Sequence, residues 1–135
     1  MSGNKTFTII KPDAFEKGYL GPIIKHIEDS NFMIKNMKLL RLNKENAKKF
    51  YGIHKEKPFF ESLCEYMTSG PIIVMTLEKE NAVEEFRKLI GSTNPENAEE
   101  GTIRKLYATS IESNAIHGSD SDQNAEIESD FFFSE

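Results

Sequence analysis

The chain contains one histidine whose surroundings suit nucleophilic chemistry on phosphate. His117 lies in the stretch 114–121 (NAIHGSDS), directly before Gly118 and three residues that can cap a helix. An unperturbed imidazole is largely neutral at pH 7, so it offers a ring nitrogen as a nucleophile without a separate base. The glycine leaves space beside the ring, and the N–H groups that begin a following helix suit an anion. The pattern predicts a histidine that meets phosphate.

Three basic residues stand near the ends of predicted elements, where their side chains can converge on a cleft. Lys11 closes the first predicted strand, Arg87 lies on a helix that leads into a long polar loop, and Arg104 follows that loop. Phosphoryl transfer depends mostly on positioning and on neutralising the charge of phosphate oxygens, so these cations suit the histidine. The alternative, a solvated surface charge, applies to each of the 17 lysines and arginines taken singly.

Five further side chains have both a structural and a chemical interpretation. Thr93 can donate its hydroxyl to a phosphate or to the backbone of its own loop, and Phe59 can stack on a base or pack in the core. Tyr51 favours ring packing with its hydroxyl on a polar partner. Ser119 suits a helix cap. Glu128 is ordinarily a solvated carboxylate, but it can orient the histidine if the last helix folds back.

The other two histidines lack such a setting. His26 and His54 have the sequence surroundings of surface residues, the first on a helix whose apolar positions lie elsewhere and the second in a segment rich in lysine and glutamate. A zinc site needs clustered ligands, which neither the histidine spacing nor the single cysteine, Cys64, provides. We therefore expect no metal held directly by the protein and no disulfide within the chain.

Composition favours one globular domain, which we expect to span residues 1–135. Hydrophobic residues make up 38% of the chain and charged residues 29%, as in ordinary globular proteins. A net charge of -5 argues against nucleic-acid binding as the main role and against an anionic membrane surface as a partner. No apolar run approaches the ~20 residues of a membrane span, and no signal-peptide pattern is present, so a cytoplasmic location is expected.

Apolar periodicity predicts strands over 6–10, 32–42, 71–77 and 114–117, and helices over 21–31, 43–51, 58–70, 81–91 and 119–133. In the second strand the apolar parity shifts between Ile34 and Met37, which predicts a bulge or burial of both faces. Asn81 followed by Glu84 predicts a side-chain cap. Because strands and helices do not alternate strictly, the order favours an α+β sandwich with an antiparallel sheet over a doubly wound parallel sheet.

The segment NAIHGSDS also resembles the active-site signature of nucleoside diphosphate kinases. Five other blocks resemble that family in the same order and at its usual spacings, over nearly the whole chain: 8–13 (TIIKPD), 57–60 (KPFF), 66–71 (YMTSGP), 91–95 (GSTNP) and 101–104 (GTIR). Several blocks in register are far more specific than a lone histidine motif. The resemblance implies a ferredoxin-like α+β fold, in which helices cover a four-stranded antiparallel sheet.

The resemblance further implies a ping-pong transfer of the terminal phosphate of ATP or another nucleoside triphosphate to a nucleoside diphosphate, which maintains cellular NTP and dNTP pools. His117 matches the family's phosphorylated nucleophile, and Ser119 and Glu128 match residues that support and orient it. The matching nucleotide and phosphate contacts, of which the first also counts as catalytic, are Lys11, Tyr51, Phe59, Arg87, Thr93, Arg104 and Asn114. Mg²⁺ is expected to arrive with the nucleotide, bridging phosphates.

The family resemblance also implies a homo-oligomer, either a tetramer or a hexamer. The phenylalanine run 131–133 favours burial at an interface or against the core. Two rival functions stay open: a non-catalytic binder that kept the fold, and a phosphohistidine carrier that accepts phosphate from another protein. The carrier uses the same His117, but it leaves Phe59, Thr93 and the two arginines without a task.

Overall fold

The computed structural model describes residues 3–111 and 113–133. Its strands are β1 (Lys5–Ile10), β2 (Met33–Leu40), β3 (Ile72–Glu78) and β4 (Ile116–Gly118). Its helices are α1 (Pro12–Glu16), α2 (Leu20–Asp29), α3 (Lys44–Phe50), α4 (Phe60–Met67), α5 (Ala82–Ile90), α6 (Ile103–Tyr107) and α7 (Asp122–Phe133), with 3-10 turns at Gly52–His54 and Pro95–Asn97. The limits of the expected domain, residues 1 and 135, lie outside the described residues.

The strands form one sheet in the order β2-β3-β1-β4, and every neighbouring pair is antiparallel. Helices pack on both faces of this sheet. The prediction of an α+β sandwich is therefore confirmed, as is the ferredoxin-like arrangement. His117 lies opposite Ile9 in the short ladder between β4 and β1, so the sheet itself holds the histidine.

Strand β3 explains the two-layer core, because its side chains alternate between two buried clusters. Ile73, Met75 and Leu77 face the layer that contains α2 and α5, whereas Ile72 and Val74 face the layer that contains α3 and α4. A strand buried on both faces reads as a continuous apolar run, as this one does. Core packing thus holds β3 and its neighbour β1 in place, and β4 is held by its hydrogen bonds to β1.

Two short helices were absent from the sequence prediction. Helix α1 begins directly after the first strand with Pro12 in its first turn, a position where proline suits a helix, although the Lys-Pro-Asp segment also reads as a turn. Helix α6 is capped by Thr102, whose Oγ1 accepts from the Lys105 N–H at 3.3 Å. Each has only five residues, too few for a helical apolar period to stand out.

The register irregularity in the second strand is confirmed as a bulge, which lies between Ile34 and Asn36. The predicted side-chain cap at the start of α5 is wrong. Asn81 has φ +59° and accepts no backbone hydrogen bond. Its amide instead donates to a Glu84 carboxylate oxygen at 3.0 Å. The left-handed backbone at Asn81 turns the side chain away from the N–H groups that it would otherwise cap.

The phenylalanine run at the end of α7 packs against the core. The Phe132 ring stacks on Phe7 with the ring centroids 5.5 Å apart and the planes 4° from parallel. Lys38 from β2 donates to the Phe132 carbonyl at 2.8 Å, and its ammonium lies 5.3 Å from the Phe133 ring centroid. Of the two predicted places for this run, the structure shows core packing for Phe132 and Phe133, whereas Phe131 is 40% exposed. Among the described helices, none is long and apolar enough to cross a membrane.

Candidate active site

A cleft with a volume of about 1180 Å³ opens beside strand β4. This volume slightly exceeds the ~300–1,000 Å³ of ordinary small-molecule sites. The cleft is lined by nine of the ten predicted site residues: Lys11, Tyr51, Phe59, Arg87, Thr93, Arg104, Asn114, His117 and Glu128. The tenth, Ser119, is buried behind the wall and bonds to Glu128. The structure thus brings together residues from almost every part of the chain.

A second, shallower depression of about 570 Å³ lies between α5 and the start of α7. It shares the lining residues Arg87, Lys88 and Asp120 with the main cleft, so the two depressions adjoin. The described residues that line it include neither His117 nor Lys11, both of which border the larger cleft.

His117 is held by hydrogen bonds to Glu128 and Thr8, and Ser119 in turn holds Glu128. Its Nε2 lies 2.8 Å from Glu128 Oε1, and the Ser119 hydroxyl donates to the same oxygen at 2.7 Å. The Thr8 hydroxyl donates to the His117 carbonyl at 2.6 Å. A carboxylate can only accept, so Nε2 carries the proton and Nδ1 keeps its lone pair. The predicted folding back of the last helix occurs, and Glu128 meets the histidine.

Aromatic rings support the other side of the imidazole. The Phe50 ring meets it edge to face at 6.0 Å between centroids, and Phe7 lies at 6.2 Å. The ring is nevertheless not enclosed, since the His117 side chain is 22% exposed and borders the cleft. The imidazole therefore has a packed back and an accessible front, as a nucleophile requires.

Lys11 is buried beside the histidine strand and is directed by Asn114. Its Nζ donates to Asn114 Oδ1 at 2.8 Å, and the Asn114 amide makes a long contact of 3.4 Å with the Thr93 carbonyl. Burial lowers the pKa of Lys11 to about 8, with Arg104 acting in the same direction and Asp13 against it. A bound anion would favour the protonated amine, so this site is prepared to hold negative charge.

Arg104 connects two segments of the cleft wall. Its Nη1 donates to the Gly91 carbonyl at 3.0 Å and its Nη2 to the Ile116 carbonyl at 2.7 Å. Within the described part of the chain, the buried Nε has no hydrogen-bond partner. Burial and the nearby Arg87 lower the pKa of Arg104 to about 10, so the guanidinium stays protonated at neutral pH. Two crowded cations with an unused donor favour an anionic ligand.

The far end of the cleft is more open. Phe59 is 47% exposed, and its ring lies 5.5 Å from His54, centroid to centroid. The expectation that His54 is a plain surface residue is therefore incomplete, because it lines the cleft. Tyr51 is buried, and burial together with Glu128 raises the pKa of its hydroxyl. That hydroxyl has no polar partner among the described residues, so the predicted partner is not found.

Two glycines permit the close approaches on which the cleft depends. A Cβ at Gly118 would lie 2.9 Å from the tip of the Ile90 side chain and 3.0 Å from the Phe86 ring, so both would have to shift to accommodate it. Glycine after the histidine therefore lets strand β4 lie against α5 without displacing these side chains. Gly91 has φ +87°, and a Cβ there would lie 2.6 Å from Thr102 Oγ1. The turn at Gly91 places its carbonyl where Arg104 bonds to it.

Sequence reasoning missed several residues that shape the site. Thr8 bonds the histidine carbonyl, while the buried Asp13 accepts from the Ala115 N–H at 3.1 Å and from the Tyr66 hydroxyl. Thr8 and Asp13 stand in the block TIIKPD, where only the lysine was singled out. The surface expectation for His26 is also wrong, since both its ring nitrogens are buried and have no partner within the described chain. No group of three metal-binding side chains occurs among the described residues.

Comparisons with known proteins give one consistent result. A family model described as "Nucleoside diphosphate kinase" matches residues 4–135. A nucleoside diphosphate kinase from Chlorobaculum tepidum is 57% identical over 129 residues, which cover 96% of this chain and 92% of that protein. The crystal structure of the Aquifex aeolicus enzyme has a TM-score of 0.95 at 42% identity and covers 97% and 95% of the two chains. The Halobacterium salinarum enzyme in complex with CDP has a TM-score of 0.93 at 34% identity, covering 98% and 90%.

Proposed function

The chain belongs to the nucleoside diphosphate kinase family, and we propose that it works by a ping-pong mechanism through a phosphohistidine on His117. It is an enzyme that transfers phosphate between nucleotides and binds nucleoside di- and triphosphates. The proposal rests mainly on one observation: Glu128 engages His117 Nε2 at 2.8 Å in a cleft that also contains Lys11 and Arg104. This contact leaves Nδ1 as the nucleophilic nitrogen.

In the first half-reaction the Nδ1 lone pair attacks the terminal phosphorus of a nucleoside triphosphate. An N–P bond forms, the P–O bond to the neighbouring phosphate breaks, and the nucleoside diphosphate leaves with the electron pair on its oxygen. In the second half a terminal oxygen of another nucleoside diphosphate attacks the phosphorus, and the N–P electrons return to Nδ1. The Glu128 carboxylate accepts the hydrogen bond from Nε2, which keeps the proton on that nitrogen and stabilises the positive charge that the ring gains. Ser119 holds Glu128 in place through its own hydrogen bond.

The cations and polar groups around the histidine would bind the phosphate chain. Two cations supply positive charge from the buried side. Asn114 orients Lys11 through a hydrogen bond, and Arg104 has an Nε that bonds to none of the described residues. Arg87 and Thr93 lie on the exposed side and complete the set. Charge matched to the developing transition state is worth about 2.7–4 kcal/mol per donor, so these contacts would account for much of the rate.

The base would stack on Phe59 at the open end, with the buried Tyr51 ring beneath the cleft. Stacking contributes ~1–3 kcal/mol and tolerates every base, because all bases have a π-face. We therefore expect both purine and pyrimidine nucleotides to serve as substrates. Such breadth suits an enzyme that maintains the NTP and dNTP pools of the cell.

Mg²⁺ would be held by the nucleotide. The described residues contain no cluster of three histidine, cysteine or carboxylate ligands, and Mg²⁺ prefers oxygen ligands such as phosphates. When bound with the nucleotide, the ion neutralises phosphate charge and orients the terminal group. Lys11 and Arg104 would bind the remaining phosphate oxygens.

We also propose that the chain is a single domain and that its copies assemble into a homo-oligomer, either a tetramer or a hexamer. The proposed location is the cytoplasm. The edge strand β2 supports assembly, since the large side chains of Met33, Met37 and Leu39 are 58%, 53% and 61% exposed. An edge strand with exposed apolar side chains favours pairing with another chain. Sedimentation of Met37→Lys against wild type tests this, and an unchanged mass would contradict the use of β2.

The central experiment follows the phosphate. Incubation with terminally labelled ATP should give an acid-labile, alkali-stable protein phosphate, and added GDP should discharge it as labelled GTP. His117→Ala should abolish labelling because the nucleophile is absent. His54→Ala is the matched control, since it removes a histidine from the open end of the same cleft, and it should still be labelled.

Two outcomes would contradict the mechanism. Labelling that persists in His117→Ala would reject the assigned nucleophile. A wild-type phosphoprotein that no nucleoside diphosphate discharges, but that forms with a partner protein as donor, would favour the phosphohistidine carrier.

A further inference from the structure

Asp13 is a buried carboxylate that the mechanism above does not use. It lies in α1, only 9% exposed, and its two oxygens serve different elements. Oδ2 accepts from the Ala115 N–H at 3.1 Å, directly before β4. Oδ1 accepts from the Tyr66 hydroxyl on α4. One side chain thus joins two helices to the segment that leads to His117.

The residue that Asp13 anchors has an uncommon backbone. Ala115 has φ +72°, in the left-handed region that residues with a Cβ rarely adopt. Both of its backbone polar groups are bonded, the N–H to Asp13 and the carbonyl to the Lys11 N–H at 2.9 Å. Unfavourable backbone conformations persist only where their surroundings hold them, and they concentrate at functional sites.

The conformation at Ala115 determines what lies on either side of it. Before it, Asn114 points its side-chain oxygen at Lys11 Nζ, 2.8 Å away. After it, the chain enters β4, where His117 pairs with Ile9. A relaxed backbone at Ala115 would change the direction of both residues at once. The turn therefore couples the anion-binding pair to the nucleophile.

We propose that Asp13, held by Tyr66, is a positioning residue for phosphoryl transfer: it fixes the left-handed turn at Ala115 and places a negative charge near Lys11. This inference rests on the proposed function of His117. Asp13 touches neither substrate nor reacting atoms, and it acts through the turn and through the lysine.

Electrostatics support the second part of this role. Burial and Arg104, from α6, lower the pKa of Lys11, and Asp13 is the group that raises it. Asp13 is itself faced by Lys11 and, from α4, by Tyr66. Removing the Asp13 charge should therefore lower the pKa of Lys11 further, and the amine should lose its proton at a lower pH.

The first test reads the protonation of Lys11 without any catalysis. Only the free amine reacts with acetic anhydride, so the acetylation of the Lys11 peptide against pH, measured by mass spectrometry on nucleotide-free protein, reports its titration. Asp13→Asn keeps an oxygen for the Ala115 N–H but removes the charge, and it should shift the titration down by about one pH unit. Tyr66→Phe removes only the hydroxyl and should leave the titration in place.

The second test isolates the geometry. At about pH 6 Lys11 stays mostly protonated even if the loss of Asp13 lowers its pKa from about 8 by about one pH unit, so a rate difference there reports mainly on positioning. Asp13→Ala removes both the charge and the acceptor, and its phosphorylation by labelled ATP should be slower by on the order of 10- to 100-fold. Asp13→Asn, which can still accept from Ala115, should recover most of that loss.

Either of two results overturns the inference: an unshifted Lys11 titration in Asp13→Asn, or wild-type phosphorylation of Asp13→Ala. If Asp13→Ala does not fold, the titration of Asp13→Asn decides. If ATP phosphorylates not even the wild-type protein, the proposed function fails, while the titration still decides whether Asp13 controls Lys11.

Discussion

At the histidine end of the cleft, polar side chains bond to one another and to the backbone, whereas at the Phe59 end they are open to solvent. Lys11, Asn114 and Arg104 are buried, and each has a partner within 3.0 Å. Phe59, in contrast, is exposed, and so is Thr93, which belongs to the exposed side of the proposed phosphate-binding set. One cleft thus combines a rigid half with an adaptable half.

This difference follows from what each half would have to recognise. Every nucleotide has the same phosphate chain, so its ligands can be fixed in advance, and preorganised charge costs little reorganisation during reaction. The base differs between substrates, so a precise hydrogen-bonding pocket would exclude most of them. Substitutions at the buried end should therefore reduce kcat for every nucleotide, and those at the open end should mainly raise KM.

The largest effect is expected from Arg104→Ala. The change removes the guanidinium with its free Nε and also leaves the Gly91 and Ile116 carbonyls without their donor. Loss of a donor matched to transition-state charge lowers kcat by about 10²–10³-fold. Steady-state kinetics with ATP and GDP measure it, and the exposed Arg41→Ala is the matched control. An Arg104→Ala enzyme with wild-type kcat would contradict a rigid phosphate end.

A smaller loss of kcat is expected from Glu128→Gln. The amide can donate as well as accept, so it no longer requires a proton on His117 Nε2 and stabilises less charge on the ring. Hydrogen bonds to charged groups contribute about 1.5–3 kcal/mol, which corresponds to roughly 10- to 150-fold in the phosphorylation rate. Rapid-quench labelling measures this rate. Glu126→Gln, an exposed carboxylate on the same helix, should leave it unchanged.

At the open end, Phe59→Ala should raise KM with little change in kcat. Lost stacking of ~1–3 kcal/mol corresponds to roughly 5- to 150-fold in KM. The increase should be similar for ADP, GDP and CDP because stacking does not distinguish their hydrogen-bonding edges. Phe59→Trp retains an aromatic face and should restore KM. A loss confined to one base would mean that this end does select bases.

The smallest effect is expected from Thr93→Val, which removes one exposed hydroxyl and keeps the shape of the side chain. A neutral hydrogen bond contributes about 0.5–1.5 kcal/mol, so KM should rise by at most roughly tenfold. Thr93→Ser keeps the hydroxyl and should behave as wild type. If Thr93→Val reduced kcat as much as Arg104→Ala does, the distinction between buried and exposed contacts would not hold.

The sequence was sufficient to predict the sheet and to select residues that the fold gathers at one cleft. Strands such as β3 are apolar runs bounded by glycine or proline, and their burial needs no knowledge of distant residues. The resemblance of six blocks to a known family likewise indicated ten residues, of which nine line the cleft and Ser119 lies behind its wall. In both cases the signal is local to a block of the chain.

What could not be predicted depends on contacts between distant blocks. The ring nitrogen bound by Glu128 follows from how α7 docks, and the proposed role of Asp13 follows from α1 lying between α4 and the segment before β4, which it joins through hydrogen bonds to Tyr66 and Ala115. Asn81 shows the same limit at short range, because its left-handed backbone overrides the capping preference of its side chain. Sequence patterns record which residue types are present, whereas these three features depend on tertiary geometry.

Helix α7 supplies both the carboxylate that contacts the His117 ring and, one turn later, Phe132 against Phe7. The docking of this one helix therefore determines how the imidazole is oriented. If α7 undocks while the sheet is still intact, the enzyme should lose activity, so heat should abolish turnover before it abolishes the circular dichroism of the strands. Lys38 on the edge strand β2 donates a hydrogen bond to the last turn of that helix. A second copy of the chain that covers β2 would therefore also protect catalysis against heat.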